Sequence, residues 1–248
     1  MSRFFVKPEA VEDRYIYLTD KQDLHHMKKV LRMSEGDEMD ISDGSAWEYH
    51  VEIESLDDKE AVLLILDKQK FAREPELLVT LYQGIPKASK MEEIIQRCVE
   101  LGVNSIVPVF MERTVVVDKG NFGKKLDRWQ KISDEAVKQC KRGIIPDVQD
   151  TVKFKEALPM LKEHDLILFP YENEDNRTIK DCLREVVAKG EKPKTVAIII
   201  GPEGGFADKE AVALDEIGAN RVSLGKTILR TETAGPAALA MTMYELEL

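Results

Sequence analysis

Cysteine is scarce in this chain. Its three residues, Cys98, Cys140 and Cys182, are odd in number and far apart, which excludes a disulfide framework or a compact metal knuckle. Histidine is equally sparse, with four residues scattered apart from the His25-His26 pair. No His/Cys/carboxylate cluster has zinc-ligand spacing, so no metal is expected. Long hydrophobic runs are also missing. The longest, over 196–200, has the length of a strand, against the roughly 18–20 apolar residues that a membrane span needs. The opening MSRFFVKPEA has no apolar signal core, so export is not indicated. The expectation is a reduced, cytoplasmic protein with no membrane and no metal partner. A basic excess is absent too: 36 Lys and Arg face 46 Asp and Glu, a net charge of −10. Indiscriminate coating of DNA is thereby disfavoured. A local basic patch still works on an acidic protein, because screening at physiological salt acts over about 8 Å. Basic residues bunch at Lys28, Lys29 and Arg32, at Lys87 and Lys90, and at Lys138, Lys141 and Arg142; each bunch alone reads as a solvated helix face.

What is present is an ordinary globular balance, 43% hydrophobic and 33% charged over 248 residues, in two unlike halves. In the first, Trp47, Tyr49, Val51 and Ile53 alternate with Glu48, His50, Glu52 and Glu54, the period of a half-buried antiparallel strand. Asp43-Gly44 marks a turn before it, and Met39, Ile41 and residues 61–66 predict neighbouring strands. Asp20 is placed to cap one helix with Leu24, Met27, Val30 and Leu31 as its apolar stripe. Short strands, turns and one helix predict a small barrel over 1–70, and the polar stretch 68–76 with Pro75 is the expected boundary.

The second half, 71–248, alternates strand and helix. Strands are predicted over 77–82, 105–110, 166–170, 196–200 and 221–224. Met91, Ile94, Ile95, Cys98 and Val99 mark a helix closed by Gly102, and Trp129, Ile132, Ala136 and Cys140 mark the next. Further helices are predicted over 178–188, over 208–217, and over 233–248, the last starting at or kinked by Gly235-Pro236. Ile198-Ile199-Ile200 is apolar without alternation, as in a strand buried on both faces. The pattern is α/β, a mostly parallel sheet flanked by helices.

Ligands of an open α/β sheet bind beyond the carboxyl ends of its strands. Three loops fall there: Phe169-Pro170-Tyr171-Glu172; Ile200-Gly201-Pro202-Glu203-Gly204-Gly205-Phe206; and Leu224-Gly225-Lys226-Thr227-Ile228-Leu229-Arg230-Thr231-Glu232-Thr233-Ala234. The second is glycine-rich yet lacks the Lys-Ser/Thr of a phosphate loop and the GxGxxG of a dinucleotide turn. Glu203 would repel a phosphate. Glycines there permit close backbone approach, which suits a flat, phosphate-free ligand carrying positive charge, and S-adenosylmethionine fits that description. A plain strand-to-helix turn capped by Asp208 is the alternative on glycine spacing alone. The third loop is long for a simple connection, usually about 4–6 residues.

The 200–206 loop followed by Leu224-Gly225 and by Ile228-Leu229-Arg230-Thr231-Glu232-Thr233-Ala234 resembles the cofactor signature of the trefoil-knotted (SPOUT) RNA methyltransferases. Pro86-Lys87, Lys90-Met91, Glu100-Leu101-Gly102, Pro108, Glu112-Arg113, Arg128-Trp129, Glu135-Ala136 and Gln139, with Arg3-Phe4-Phe5 and Val30-Leu31-Arg32, are similar to the ribosomal RNA small subunit methyltransferase E (RsmE) family. The resemblance covers nearly the whole chain. It implies a PUA-like RNA-binding β-barrel over 1–70, a knotted methyltransferase domain over 71–248, a homodimer, and S-adenosylmethionine-dependent methylation of N3 of one uridine in 16S ribosomal RNA of the small ribosomal subunit. It places Phe169, Pro170, Tyr171, Glu172, Ile200, Gly201, Pro202, Glu203, Gly204, Gly205, Leu224, Gly225, Ile228, Leu229, Thr233 and Ala234 around the cofactor.

Arg3, Arg32, Lys87, Arg113 and Arg142 are the candidates for RNA phosphates, with His25 and Lys28 weaker. Phe4 and Phe5 are candidates to stack on a base, with barrel core the better reading for at least one. Uridine N3 must lose a proton to attack the sulfonium methyl. Arg230, oriented by Glu232, is expected to stabilise the resulting anion, and Glu232 as the base itself is the rival. Cys98 and Cys140 fall on apolar helix stripes and read as core. Methylation of another RNA, such as tRNA, and a non-catalytic RNA-binding or ribosome-assembly role are the competing readings.

Overall fold

The period-two pattern around Trp47 and the apolar runs beside it assemble a six-stranded sheet. The structure, a computed structural model, describes residues 4–44, 47–70, 74–117, 122–190 and 192–248. The chain divides into two compact units, Met1–Glu74 with Val137–Ile145, and Pro75–Ala136 with Pro146–Leu248.

The first unit contains β1 (Phe4–Phe5), β2 (Val11–Glu12), β3 (Tyr15–Leu18), helix α1 (Lys21–His25), β4 (Glu38–Ser42), β5 (Trp47–Leu56) and β6 (Ala61–Lys70). Their order is β1-β4-β5-β6-β3-β2. All pairs are antiparallel except β1 with β4. Register shifts after His50 and Ile53 are bulges of the kind that bend a strand pair. Phe4, Ile16, Met39, Ile41, Tyr49, Val51, Ile53 and Leu63 form the core, so Phe4 is a core residue.

Asp20 caps α1 as expected, its carboxylate accepting from the amides of Gln22 and Asp23 at 2.9 and 3.0 Å. The helical stripe predicted beyond it fails at its end. Residues His26–Leu31 adopt a π-helix, whose i→i+5 bonding breaks the 3.6-residue period. Leu24 and Met27 are buried, whereas Val30 and Leu31 are 60% and 38% exposed. Glu48, on the face predicted to be solvated, is buried. The returning segment 137–145 lies at this end of the sheet, where Ser42, opposite Glu48, donates to the Gly143 carbonyl at 2.6 Å.

In the second unit β7 (Leu78–Gly84), α2 (Lys90–Glu100), β8 (Ser105–Phe110), α3 (Phe122–Cys140, whose last residues belong to the first unit), β9 (Asp147–Val148), β10 (Val152–Lys153), α4 (Phe154–Leu161), β11 (Leu166–Pro170), α5 (Ile179–Ala188), β12 (Thr195–Ile200), α6 (Asp208–Glu216), β13 (Asn220–Val222) and α7 (Thr231–Leu246) follow in turn. The sheet runs β10-β8-β7-β12-β11-β13, with β9 beside β8, and every pair is parallel. Residues 196–200 are wholly buried, as their unbroken apolar run predicts. Tyr82, Ala197 and Ile199 face a core built with α4 and α6. Leu81, on the other side of β7, lies beneath Gly235 of α7, and α7 packs on α2 and α5.

Helix α4 is absent from the sequence expectation, because it is short and Pro159 lies inside it; its buried stripe is Phe154, Ala157 and Leu161. Helix α7 begins at Thr231, ahead of the predicted start, and carries Pro236 within it. Cys98 is fully buried, while Cys140 at the end of α3 is half-buried.

Candidate active site

Four adjacent strands, β7, β12, β11 and β13, point the same way, so the loops beyond their carboxyl ends lie side by side. Three of these are the loops singled out from sequence. They enclose a cleft of about 580 Å³, within the range of small-molecule sites, roughly 300–1,000 Å³. Pro170, Tyr171 and Glu172 line it, as do Ile200, Gly201, Pro202, Glu203, Gly204, Gly205, Leu224, Gly225, Ile228, Leu229, Arg230, Glu232 and Ala234. Two residues expected at the cofactor lie off the cleft wall. Phe169 is fully buried beneath it, its ring 5.0 Å from that of Phe206, and Thr233 points outward from the first turn of α7. Lys90, Thr231 and Asp175, none of them assigned to the cofactor or to catalysis from sequence, also line the cleft.

The glycine loop is shaped by what stands behind it. Gly205 has φ +66°, and a Cβ there would meet Glu172 Oε1 at 2.5 Å. The Gly205 amide donates to the Pro202 carbonyl at 2.9 Å, closing a turn. Arg113 Nη1 donates to the Gly204 carbonyl at 2.9 Å. The residue before Arg113 is held in turn, since buried Glu210 accepts from the Glu112 amide at 2.8 Å and from the Ala207 amide at 2.9 Å. That pair of bonds, and not Asp208, organises the start of α6.

The loop is tied to α7 by a buried relay. Gln83 Nε2 donates to Thr231 Oγ1 at 2.9 Å, and that hydroxyl donates to the Gly201 carbonyl at 2.7 Å. Sequence reading gives neither residue a role: Thr231 stands within the 228–234 signature without a function of its own, and Gln83 carries no motif signal, so burial is what marks them. Replacing Thr231 with valine is expected to cost about 1–3 kcal/mol of stability, since it strands the Gly201 carbonyl and one of the two Gln83 N–H groups, the other staying on the Gly84 carbonyl. Urea unfolding measures it, and a loss under about 0.5 kcal/mol would show the relay to be idle.

Charges at the rim are linked. Lys90 Nζ stands 3.3 Å from Glu203 Oε1 and 3.2 Å from Glu232 Oε2, and the Lys87 amide donates to Glu203 Oε1 at 3.0 Å. Burial pushes the Glu203 carboxyl up, but the Lys87 amide, its own amide and the Lys90 ammonium outweigh it and hold the group below the usual range. Glu232 follows the same balance: burial raises it, and its own amide, Lys90 and Arg230 bring it lower on balance. Both therefore stay ionised at neutral pH. Arg230 Nη1 is 4.0 Å from Glu232 Oε1, and its side chain is 83% exposed, so Lys90 holds Glu232 more closely than Arg230 does.

The RNA candidates scatter. Lys87 and Arg113 are exposed on the loops after β7 and β8, and Arg32 is exposed in the first unit at φ +55°. Arg3 lies outside the described residues. Of the weaker candidates, His25 is exposed and Lys28 pairs with Asp58.

Arg142 is a correction. It is 7% exposed, and its Nη2 and Nε donate to Glu74 Oε2 at 2.9 and 3.2 Å. Glu74 Oε1 accepts from the Gly143 and Ile144 amides. A guanidinium enclosed in this way is committed to folding and not to a phosphate. Arg142→Ala is expected to cost about 3–5 kcal/mol, because it leaves a carboxylate only 11% exposed without its cation. Denaturant unfolding measures this, and a loss below about 1 kcal/mol would return Arg142 to the surface candidates.

Among the described residues no group of three or more His, Cys, Asp or Glu could hold a metal ion, and no helix is long and apolar enough to cross a membrane.

Comparison with known proteins places this geometry. The RNA methyltransferase domain model matches residues 73–243, and the RNA methyltransferase PUA domain model matches residues 18–66. Ribosomal RNA small subunit methyltransferase E of Bacillus subtilis is 31% identical over the whole chain and 98% of its own length. A crystal structure of the same-named protein from Neisseria gonorrhoeae, bound to S-adenosylmethionine, is 30% identical and covers 98% of this chain and 97% of its own, with a TM-score of 0.84. A methyltransferase of Legionella pneumophila, also solved with bound S-adenosylmethionine, is 31% identical over 98% of this chain and 96% of its own, with a TM-score of 0.83.

Proposed function

The chain belongs to the ribosomal RNA small subunit methyltransferase E family, and from that premise we propose that it transfers a methyl group from S-adenosylmethionine to N3 of one uridine in 16S ribosomal RNA. The observation that carries this reading is the meeting of the 170–172, 200–205 and 224–230 loops around one cleft. The residues fit the donor. The wall is free of side chains at Gly201, Gly204 and Gly205, so backbone groups can approach a flat adenosine, and Leu224, Ile228 and Leu229 add apolar surface. Ile228 is 81% exposed, an apolar side chain at the cleft available to pack on a bound ligand. Four carboxylates, Glu172, Asp175, Glu203 and Glu232, line the cleft against Lys90, Lys226 and Arg230, a balance suited to a cation. When bound, the donor supplies an electrophilic methyl group on a positively charged sulfur.

The chain's own groups act on the acceptor. Uridine N3 loses its proton to solvent, N3 bonds to the methyl carbon, and the carbon–sulfur bond breaks. Arg230, exposed and loosely paired, is free to meet the uracil carbonyls and stabilise the anion. Glu232, its acidity strengthened against burial by its own amide and by Lys90, is a poor proton acceptor, which favours an orienting role over the base. Positioning of the two reactants supplies much of the acceleration, on the order of 7–11 kcal/mol where alignment is good. Lys87, Arg113, Arg32 and Arg3 are the proposed phosphate contacts.

We further propose the division into a PUA-like barrel over 1–70 that holds RNA and a trefoil-knotted catalytic domain over 71–248. The proposed setting is a homodimer acting on the small subunit in the cytoplasm. Calorimetry with S-adenosylmethionine tests the core of the reading: saturable binding at one site per chain supports it, and no heat of binding overturns it.

A further inference from the structure

We propose that Lys90 is a positioning residue for methyl transfer, its ammonium shared by Glu203 and Glu232 so that it clasps the glycine loop to the first turn of α7 beside the cleft. This rests on the methyltransferase reading above and assigns a role to a residue that reading leaves unused.

Local preference does not explain a lysine here. Lys90 opens α2, with Glu92 and Glu93 in the same turn, and a helix N-terminus favours negative charge. Tertiary partners explain it. Nζ lies 3.3 Å from Glu203 Oε1 and 3.2 Å from Glu232 Oε2, with the lysine side chain 31% exposed and Glu232 only 13%. Glu203 sits between Pro202 and Gly204 in the loop after β12, and Glu232 is one residue into α7 from Thr231. One nitrogen therefore joins three segments remote in sequence. The Lys87 amide on Glu203 Oε1 closes the clasp from the α2 side.

Two carboxylates and one ammonium carry a net charge of −1. Without the ammonium Glu232 keeps only its long contact with Arg230, 4.0 Å away and largely in solvent, and Glu203 keeps the Lys87 amide. The other charged residues lining the cleft are Glu172 and Asp175 after β11 and Lys226 after β13. Two outcomes follow from like-charge repulsion. The 201–205 loop and the turn bearing Arg230 separate, and one carboxylate keeps its proton to higher pH. The first misplaces the acceptor relative to the donor, for which a shift of about 1 Å costs on the order of 100-fold in rate.

The test compares Lys90→Met, Lys90→Arg and Lys90→Met combined with Glu203→Gln and Glu232→Gln, each in the full chain. Single-turnover methylation of small ribosomal subunits is followed across pH, and amide hydrogen exchange is followed with no substrate present. Expected are a rate loss of roughly 20-fold or more in Lys90→Met, a pH profile whose acid limb moves up by about one unit, and faster exchange at 201–205 and 230–233. Lys90→Arg restores the rate to within about threefold, since a cation is kept. In the triple variant the acid limb is no longer displaced. The proposal is overturned if Lys90→Met keeps the wild-type profile and exchange, or if Lys90→Arg is no better than Lys90→Met. Exchange needs neither donor nor RNA, so it judges the clasp even if wild-type protein shows no methyl transfer, a result that would count against the underlying reading alone.

Discussion

Replacing Gly205 with valine is expected to weaken S-adenosylmethionine binding by 100-fold or more, about 2.7 kcal/mol, while the protein remains folded. Two penalties coincide at this position. The backbone is at φ +66°, where an L-residue costs roughly 1–2 kcal/mol and a β-branched one more. A Cβ would also sit 2.5 Å from Glu172 Oε1, so the end of that exposed side chain must swing away, a smaller penalty than the backbone one. Glu172, which lines the cleft, is displaced, and the turn closed by the Gly205 amide on Pro202 is strained or opens. Both change the wall facing the donor. Gly218→Val is the control, because Gly218 has φ +81°, a Cβ there would meet nothing within 4 Å, and the residue lies off the cleft. It should lower the melting temperature by several degrees and leave the dissociation constant unchanged. Wild-type affinity in Gly205→Val would place the donor elsewhere.

Arg230→Ala is expected to lower the single-turnover rate by about 100- to 1,000-fold, the range for removing one donor that meets developing charge. Stability and donor affinity should hardly move, because the side chain is 83% exposed and its contact with Glu232 is long at 4.0 Å; exposed pairs of this kind contribute little. Glu232→Gln separates the two assignments. As an orienting group it should cost no more than about tenfold. A loss matching or exceeding that of Arg230→Ala would make Glu232 the base and remove the arginine from that role.

Much of this is readable from sequence where local chemistry and tertiary role coincide. The buried run ending in Ile200 reads as a central parallel strand, and the loop beyond it follows from that placement. Asp20 announces its helix because capping is a local bond. Where a residue's role is set by distant chain, the sequence is silent. Thr231 and Gln83 look ordinary until burial joins them to Gly201. Lys90 is one more surface cation until Glu203 and Glu232 arrive from the far end of the chain. Arg142 misleads for the same reason: its partner Glu74 lies 68 residues away, so a basic bunch is legible and its burial is not. Pro159 hides α4, and the π-helix over His26–Leu31 breaks the period that pattern reading assumes.

The most direct measurement incubates the purified chain with small ribosomal subunits and S-adenosylmethionine carrying an isotopically labelled methyl group, then maps the label in 16S RNA by mass spectrometry. One labelled nucleotide, a uridine methylated at N3, is the predicted result, and it should disappear with Arg230→Ala. Label on a different atom or RNA, or no transfer by protein that binds the donor, would contradict the proposed chemistry.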